Sequence, residues 1–207
     1  MDSITHVLSA ALLTEPLPIP EVEKGSIYAR WRLRMAILVG ALLPDADGML
    51  GWIDPALYAG YHRKTTHSII GVVVMILLSA LIARKWPEKW LFPFVRRRYQ
   101  GFHSVQPTFR RLVGFTAISV VVHCLLDWVA KWGIWPLWPF SDRDFALGRV
   151  NSLDPVLLGL TVAAWAIQHL FLTRNKRTTA WVVAGFWILA FAAYVWLRPY
   201  WGEPAYV

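Results

Sequence analysis

Residues 112–130 read LVGFTAISVVVHCLLDWVA, nineteen positions with no Lys, Arg or Glu and a single acid, Asp127. As a helix this stretch rises about 28 Å, close to the roughly 30 Å of a bilayer's hydrocarbon core. It predicts a transmembrane helix, and one that carries His123 and Asp127 inside it. Ionisable groups there cost about 2.5 kcal/mol or more each on insertion scales, so they usually face a cavity and carry function. Outward from this segment lie three more apolar runs, residues 69–83, 155–172 and 180–197. Together they predict an all-α, polytopic integral membrane protein with about four transmembrane helices. Two shorter apolar runs, residues 4–14 and 35–43, are too short to span alone and read as N-terminal half-helices buried among the others. The first has Asp2 where a signal peptide prefers a basic residue and no small-residue cleavage site, so it reads as retained.

Composition agrees. The 207 residues are 57% hydrophobic, 14% aromatic and 16% charged, against roughly 25% charged in a soluble domain. Thirteen Trp and a mean hydropathy of +0.43 exclude disorder and a charged coiled coil. A single cysteine, Cys124, excludes a disulfide framework or a cysteine-based zinc finger.

The formal charge of +8 is explained by topology, and no nucleic-acid partner is expected. Eight basic residues fall in residues 84–111, three in 174–179 and four in 15–34, the segments that alternation puts on one side. The positive-inside rule makes that side cytoplasmic. His103 and His169 fall toward it, whereas His6, His62, His67 and His123 fall toward the opposite face with nine of the thirteen acids. Helical rise puts His6, Asp45 and His123 at similar depths, about 12, 18 and 16 Å from the cytoplasmic ends of their segments.

Spacing suggests metal chemistry. His123 and Asp127 are i, i+4 on one helix, and Asp2 and His6 repeat that spacing. Asp45 and Asp47 follow Pro44, where a helix breaks, and two carboxylates in such a turn can bridge or share metal ions. His62 and His67 are five apart and converge only if residues 62–68 are partly non-helical, with Ser68 or Thr66 capping the next helix. Neutral imidazole plus carboxylate suits zinc, manganese or iron. Each pair alone is more often structural; agreement of all four clusters in side, depth and ligand type argues for a shared metal site. Asp54, before Pro55, reads as turn chemistry, and Trp128, Trp132, Trp135 and Trp138 as an interfacial aromatic belt.

In chain order, MDSITH at residues 1–6, LPDAD at 43–47, HRKTTHS at 62–68, HCLLDW at 123–128, WPFS at 138–141 and LDP at 153–155 resemble the YdjM-like family. Its members are bacterial inner-membrane proteins described as metal-dependent hydrolases, some under the DNA-damage repressor LexA. The family is distantly similar to zinc-dependent phospholipase C and to single-strand-specific fungal nucleases. The resemblance covers Met1 to about Thr173, leaving residues 174–207 as a cytoplasmic turn, a last transmembrane helix and an outer tail of one membrane-embedded domain. It implies His6, Asp45, His62, His67, His123 and Asp127 as metal and active-site positions, with Asp47 and Asp154 also in its motifs. The distant relatives add a third metal through a downstream His-x-x-x-Glu pair absent after Asp127, so one or two divalent ions, zinc first, are expected.

The expected function is a membrane-bound metal-dependent hydrolase in which metal-activated water attacks a phosphoester, or a similar ester, of a lipid or amphiphilic substrate. Asp47 or Asp154 is the expected general base. Arg63, beside His62, is a phosphate clamp or else a snorkelling interfacial arginine. A small ion or proton transporter would show similar broken helices and intramembrane carboxylates, and a non-catalytic membrane protein stabilised by zinc would share the ligands. The two halves show no duplication of the kind inverted-repeat transporters carry.

Overall fold

The structure, a computed structural model, describes residues 1–20, 26–54, 56, 58, 61–87, 105–131 and 133–198. These form six α-helices: α1 (Ser3–Thr14), α2 (Ile27–Leu42), α3 (Ile69–Lys85), α4 (Phe109–Val129), α5 (Pro155–Thr173) and α6 (Arg177–Leu197), with a 3-10 segment (Leu43–Trp52) continuing α2. No strand is present among the described residues, only isolated bridges such as Ala130 with Val150 and Ile134 with Phe145. The helices start where the sequence provides a cap. Side chains of Asp2, Ser26, Ser68, Thr108 and Asp154 accept from backbone N–H groups in the first turns of α1 to α5. Pro44 has no N–H to continue the α2 ladder, and the chain tightens there into the 3-10 segment.

Three helices, α4, α5 and α6, are long and apolar enough to cross a membrane. The expected fourth, α3, has 17 residues and rises about 25 Å, short of the roughly 30 Å core by itself. The second short run also differs from expectation. It is the C-terminal part of a 16-residue helix whose first half holds the basic residues 30–34. Arg32 in that half is buried because its guanidinium donates to the Ala83 carbonyl, 3.0 Å, and to that of Arg84, closing the C-terminus of α3.

The packing has a membrane protein's polarity, with small residues inside and large apolar ones outside. On α3, Gly71, Ser79, Ala80 and Ala83 are buried, while Ile69, Ile70, Val73, Val74, Leu77 and Leu78 are exposed on the other face. α4 is central: it packs on α1, α2 and α3, and α5 joins α1 to α6. A Cβ at Gly40 of α2 would lie 2.9 Å from the Ser119 side chain, so glycine sets the approach of α2 to α4. Polar side chains stitch the helices. Thr116 Oγ1 donates to the Ile76 carbonyl at 3.1 Å, and Gln168 Nε2 to the carbonyls of Leu12 and Ala180 at 2.8 and 3.1 Å.

This arrangement gives the bundle two chemically distinct ends. One gathers Arg30, Arg32, Arg34, Arg84, Arg110, Arg111, Arg174 and Arg177 from helix termini, with His169; the other gathers the start of α1, the end of α2, the loop 61–68 before α3, the C-terminal part of α4 and the start of α5. His103 lies outside the described residues.

Candidate metal centre

Four elements bring ligands to the second end. His6 comes from α1, Asp45 from the 3-10 segment, and His123 and Asp127 from α4; one donor atom of each lies within 4.8 Å of all the others. His6, His123 and Asp127 are fully buried. The i, i+4 pair converges as its spacing requires, with His123 Nε2 3.7 Å from Asp127 Oδ2. The rings of His6 and His123 stack at 3.9 Å between centroids. His67 joins them, its Nε2 lying 3.1 Å from Asp127 Oδ2, 3.0 Å from His123 Nε2 and 3.8 Å from Asp45 Oδ1. The amino group of Met1 also lies against Asp127 Oδ1.

The loop 61–68 delivers two histidines because it is not helical. Arg63 adopts a left-handed φ of 63°, and Ser68 caps α3 through Gly71 N at 3.0 Å. His62 Nδ1 meets Asp47 Oδ1 at 3.0 Å, and its Nε2 accepts from Arg63 Nε at 3.2 Å. Asp45, Asp47 and His62 make a second group of donors within 4.8 Å, so Asp45 belongs to both. The loop is held from outside. Ile69 N donates to the Pro136 carbonyl at 2.9 Å, and Lys64 Nζ reaches Asp142 Oδ1 at 3.2 Å.

The donor atoms fit a cation. His123 Nδ1 lies 2.8 Å from the Ala41 carbonyl, which can only accept, so the proton sits on Nδ1 and Nε2 presents a lone pair. His67 Nε2 faces that lone pair at 3.0 Å, a distance that needs a proton or a cation between the rings. His6 Nε2 is 3.3 Å from Asp127 Oδ1 but out of line, and both its ring nitrogens, with Asp45 Oδ1, are buried without a hydrogen bond. Buried polar atoms are rarely left so, and an ion is a standard explanation. Burial pushes the His67 imidazole below its ordinary value despite the Asp127 hydrogen bond, favouring the neutral form that ligates.

Two expected site residues serve other purposes. Both Asp2 oxygens are engaged by Thr5, from its N at 2.8 Å and its Oγ1 at 2.6 Å, because Asp2 is the N-cap of α1. Asp154 is 2% exposed and caps α5, accepting from Val156 N and Leu157 N and from Tyr194 OH at 3.1 Å, which ties α5 to α6. It has no place among the clustered donors, so the general-base expectation falls to Asp47. Arg63 does not snorkel: it is 5% exposed, its Nη2 lies 3.2 Å from Asp127 Oδ2, and its Nη1 is buried without a hydrogen bond. Trp135 is not simply part of an interfacial belt, and Trp132 lies outside the described residues. Trp135 lines a cavity of about 610 Å³ with Asp45, Gly48, Tyr58, His62, Arg63 and Ser152. Tyr58 escaped sequence reasoning, although it lies one turn before His62 and stacks on it at 4.4 Å. Thr66, the alternative cap for the next helix, leaves that role to Ser68; its Oγ1 is 2.9 Å from His67 Nδ1 and orients that ring.

Fold and site together define an all-α membrane protein with a buried histidine and carboxylate cluster open to a cavity at one end of the bundle. The chain belongs to the YdjM inner membrane protein family, whose pattern matches residues 1–202. That match runs past Thr173 and includes α6. Among curated proteins, the chain is 33% identical over 139 residues to the inner membrane protein YbcI of Escherichia coli (strain K12), covering 65% of this chain and 69% of YbcI. It is 28% identical over 170 residues to the uncharacterized protein YfhP of Bacillus subtilis (strain 168), covering 82% of this chain. The matched region is about half the length of YfhP, 46%. No solved structure is significantly similar.

Proposed function

We propose that this chain is a metal-dependent hydrolase of the membrane that cleaves a phosphoester of a lipid or similar amphiphile. The observation that carries the reading is a largely buried His/Asp cluster lying beside a cavity that also contains a buried arginine with an unpartnered Nη1. His6, Asp45, His123 and Asp127, with His67 alongside, are the residues that would hold one ion; Asp45, Asp47 and His62 form the set for a second. Mixed imidazole and carboxylate donors favour zinc, with manganese and iron next. When bound, such an ion supplies Lewis acidity and lowers the pKa of water toward neutrality.

The chain's own groups do the rest. Arg63 Nη1 offers a buried, charged donor to a phosphate oxygen, where charge-assisted bonds are strongest. Asp47, held by His62 at 3.0 Å, takes the proton from the attacking water when a single ion is bound. Tyr58 and Trp135 wall the cavity. Met49, Trp52 and Ile53, just beyond Gly48, are 59, 88 and 83% exposed, an apolar lip suited to a substrate that partitions into the bilayer.

Elemental analysis of protein purified without chelator, together with turnover of a panel of lipid phosphoesters in detergent, tests the reading. The expected result is stoichiometric zinc, manganese or iron and metal-dependent cleavage of at least one lipid. Ion flux in liposomes without cleavage would replace it with a transporter. Bound zinc with neither activity would leave a structural site.

A further inference from the structure

The basic end of the bundle contains a second site that the hydrolase reading does not use. A cleft of about 270 Å³ lies where the end of α1, the first half of α2, the end of α5 and the start of α6 meet. Arg30, Arg34, Arg177 and His169 line it, and Glu15 is the single acid among its lining residues. An adjoining groove of about 420 Å³ shares Glu15, Arg34 and His169 with the cleft and continues between α1, α2 and α5 over Val7, Leu8, Met35, Leu38 and Trp165. One end of this combined site is cationic and the other apolar. The start of α6 adds to the cationic end. Lys176 stands at its N-cap and its side chain does not cap the first turn, and Arg177, the first helical residue, lines the cleft. First-turn N–H groups of a helix attract anions.

We propose that this cleft and groove bind one anionic phospholipid, its phosphate between Arg34, Arg177 and the start of α6 and an acyl chain along Leu38 and Trp165. A free phosphate would use the arginines but has no need of the apolar groove. A zwitterionic lipid would use the groove but gains less from three arginines facing one carboxylate. The charge distribution puts this end at the cytoplasmic leaflet, where basic pockets between membrane helices take up anionic headgroups. Glu15 Oε2, buried without a hydrogen bond, faces the same space and can donate to a phosphate oxygen when protonated. The site is separate from the metal cluster and does not depend on it.

The test uses the full chain, delipidated in detergent and offered phosphatidylglycerol or phosphatidylcholine with identical acyl chains, with retained lipid counted by native mass spectrometry. Phosphatidylglycerol should be retained preferentially. The double variant Arg34→Gln/Arg177→Gln should weaken that retention about 30-fold, at about 1 kcal/mol for each basic residue near the surface. The charge-preserving Arg34→Lys/Arg177→Lys pair should keep most of it, and Leu38→Trp, which fills the groove, should lose it with the arginines intact. If the glutamine pair fails to fold, the lysine pair and Leu38→Trp still decide. His123→Ala should bind lipid as the wild type does, which separates this outcome from failure of the hydrolase reading. Equal retention of phosphatidylcholine, or unchanged retention in Leu38→Trp, would overturn the proposal. Displacement of the lipid by millimolar inorganic phosphate would replace it with a free-anion site.

Discussion

Gly71→Ala tests how the histidine loop is held. In the first turn of α3, a Cβ on Gly71 would lie 1.9 Å from the Thr65 carbonyl oxygen and 2.9 Å from the carbonyl carbons of Thr65 and Thr66. A carbon and an oxygen in contact need about 3.3 Å, so the Thr65 carbonyl must retreat by about 1.4 Å. Nothing flexible absorbs this, because the obstructing atoms are backbone. The same carbonyl accepts from Ser68 Oγ at 3.0 Å, and that hydroxyl caps α3 through Gly71 N, so the cap is disturbed as well. Forced backbone shifts of this kind cost about 1 to 3 kcal/mol. For a chain of this size that lowers the thermal midpoint by about 2 to 4 °C per kcal/mol. Displacing His67 by about 1 Å is enough to reduce turnover by about 10²-fold. The assay pairs the thermal midpoint, followed by tryptophan fluorescence, with the metal-to-protein ratio. Gly159→Ala and Gly185→Ala, where a Cβ inside a helix meets open space, serve as controls and should leave metal content unchanged and the midpoint at or above that of the wild type. Wild-type midpoint and metal content in Gly71→Ala would refute the packing of loop 61–68 on α3.

Four further substitutions separate roles within the molecule. Asp47→Asn should keep the ion of the His6, Asp45, His123 and Asp127 set and lose about 10² to 10⁴ in turnover, as expected for a general base, whereas Asp154→Ala should lose about 0.5 to 2 kcal/mol of stability with its cap and retain the rate constant at saturating substrate; kinetics and thermal melts on both variants distinguish them. Thr66→Val removes the hydroxyl that orients His67, and should weaken metal affinity about 10- to 100-fold with the bundle intact, read by competition with a chromogenic chelator. Glu15→Gln addresses pH: burial raises the Glu15 carboxyl above its ordinary value against the pull of Arg34 and His169, so its stabilising contribution is complete at low pH and lost as pH rises through the folded value. The variant should therefore melt higher than wild type at neutral pH and alike at about pH 4 or below, where both states are protonated.

Much of this was legible in the order of residues because a bilayer imposes one-dimensional constraints. Apolar run length set the helices, arginine placement set the two ends, and Pro44 and Ser68 marked where helices stop and start. His123 and Asp127 shared a face by helical period alone, and the sorting of histidines and acids to one end followed by alternation. Other properties depended on three-dimensional proximity. Asp2 and Asp154 carry the same carboxylate as Asp45 and Asp127, but Thr5 N at 2.8 Å and Val156 N at 3.1 Å occupy them as caps, a competition that spacing cannot register. Arg63 was equally a clamp or a snorkelling residue until its left-handed backbone and its contact with Asp127 turned it inward. The helical continuation of the basic segment 27–34 appeared only with Arg32 satisfying the carbonyls at the end of α3. Sequence determined which groups a membrane would tolerate and at which end; tertiary packing decided which of them were free to bind, because a donor or acceptor already engaged by the backbone is no longer available to an ion or a substrate.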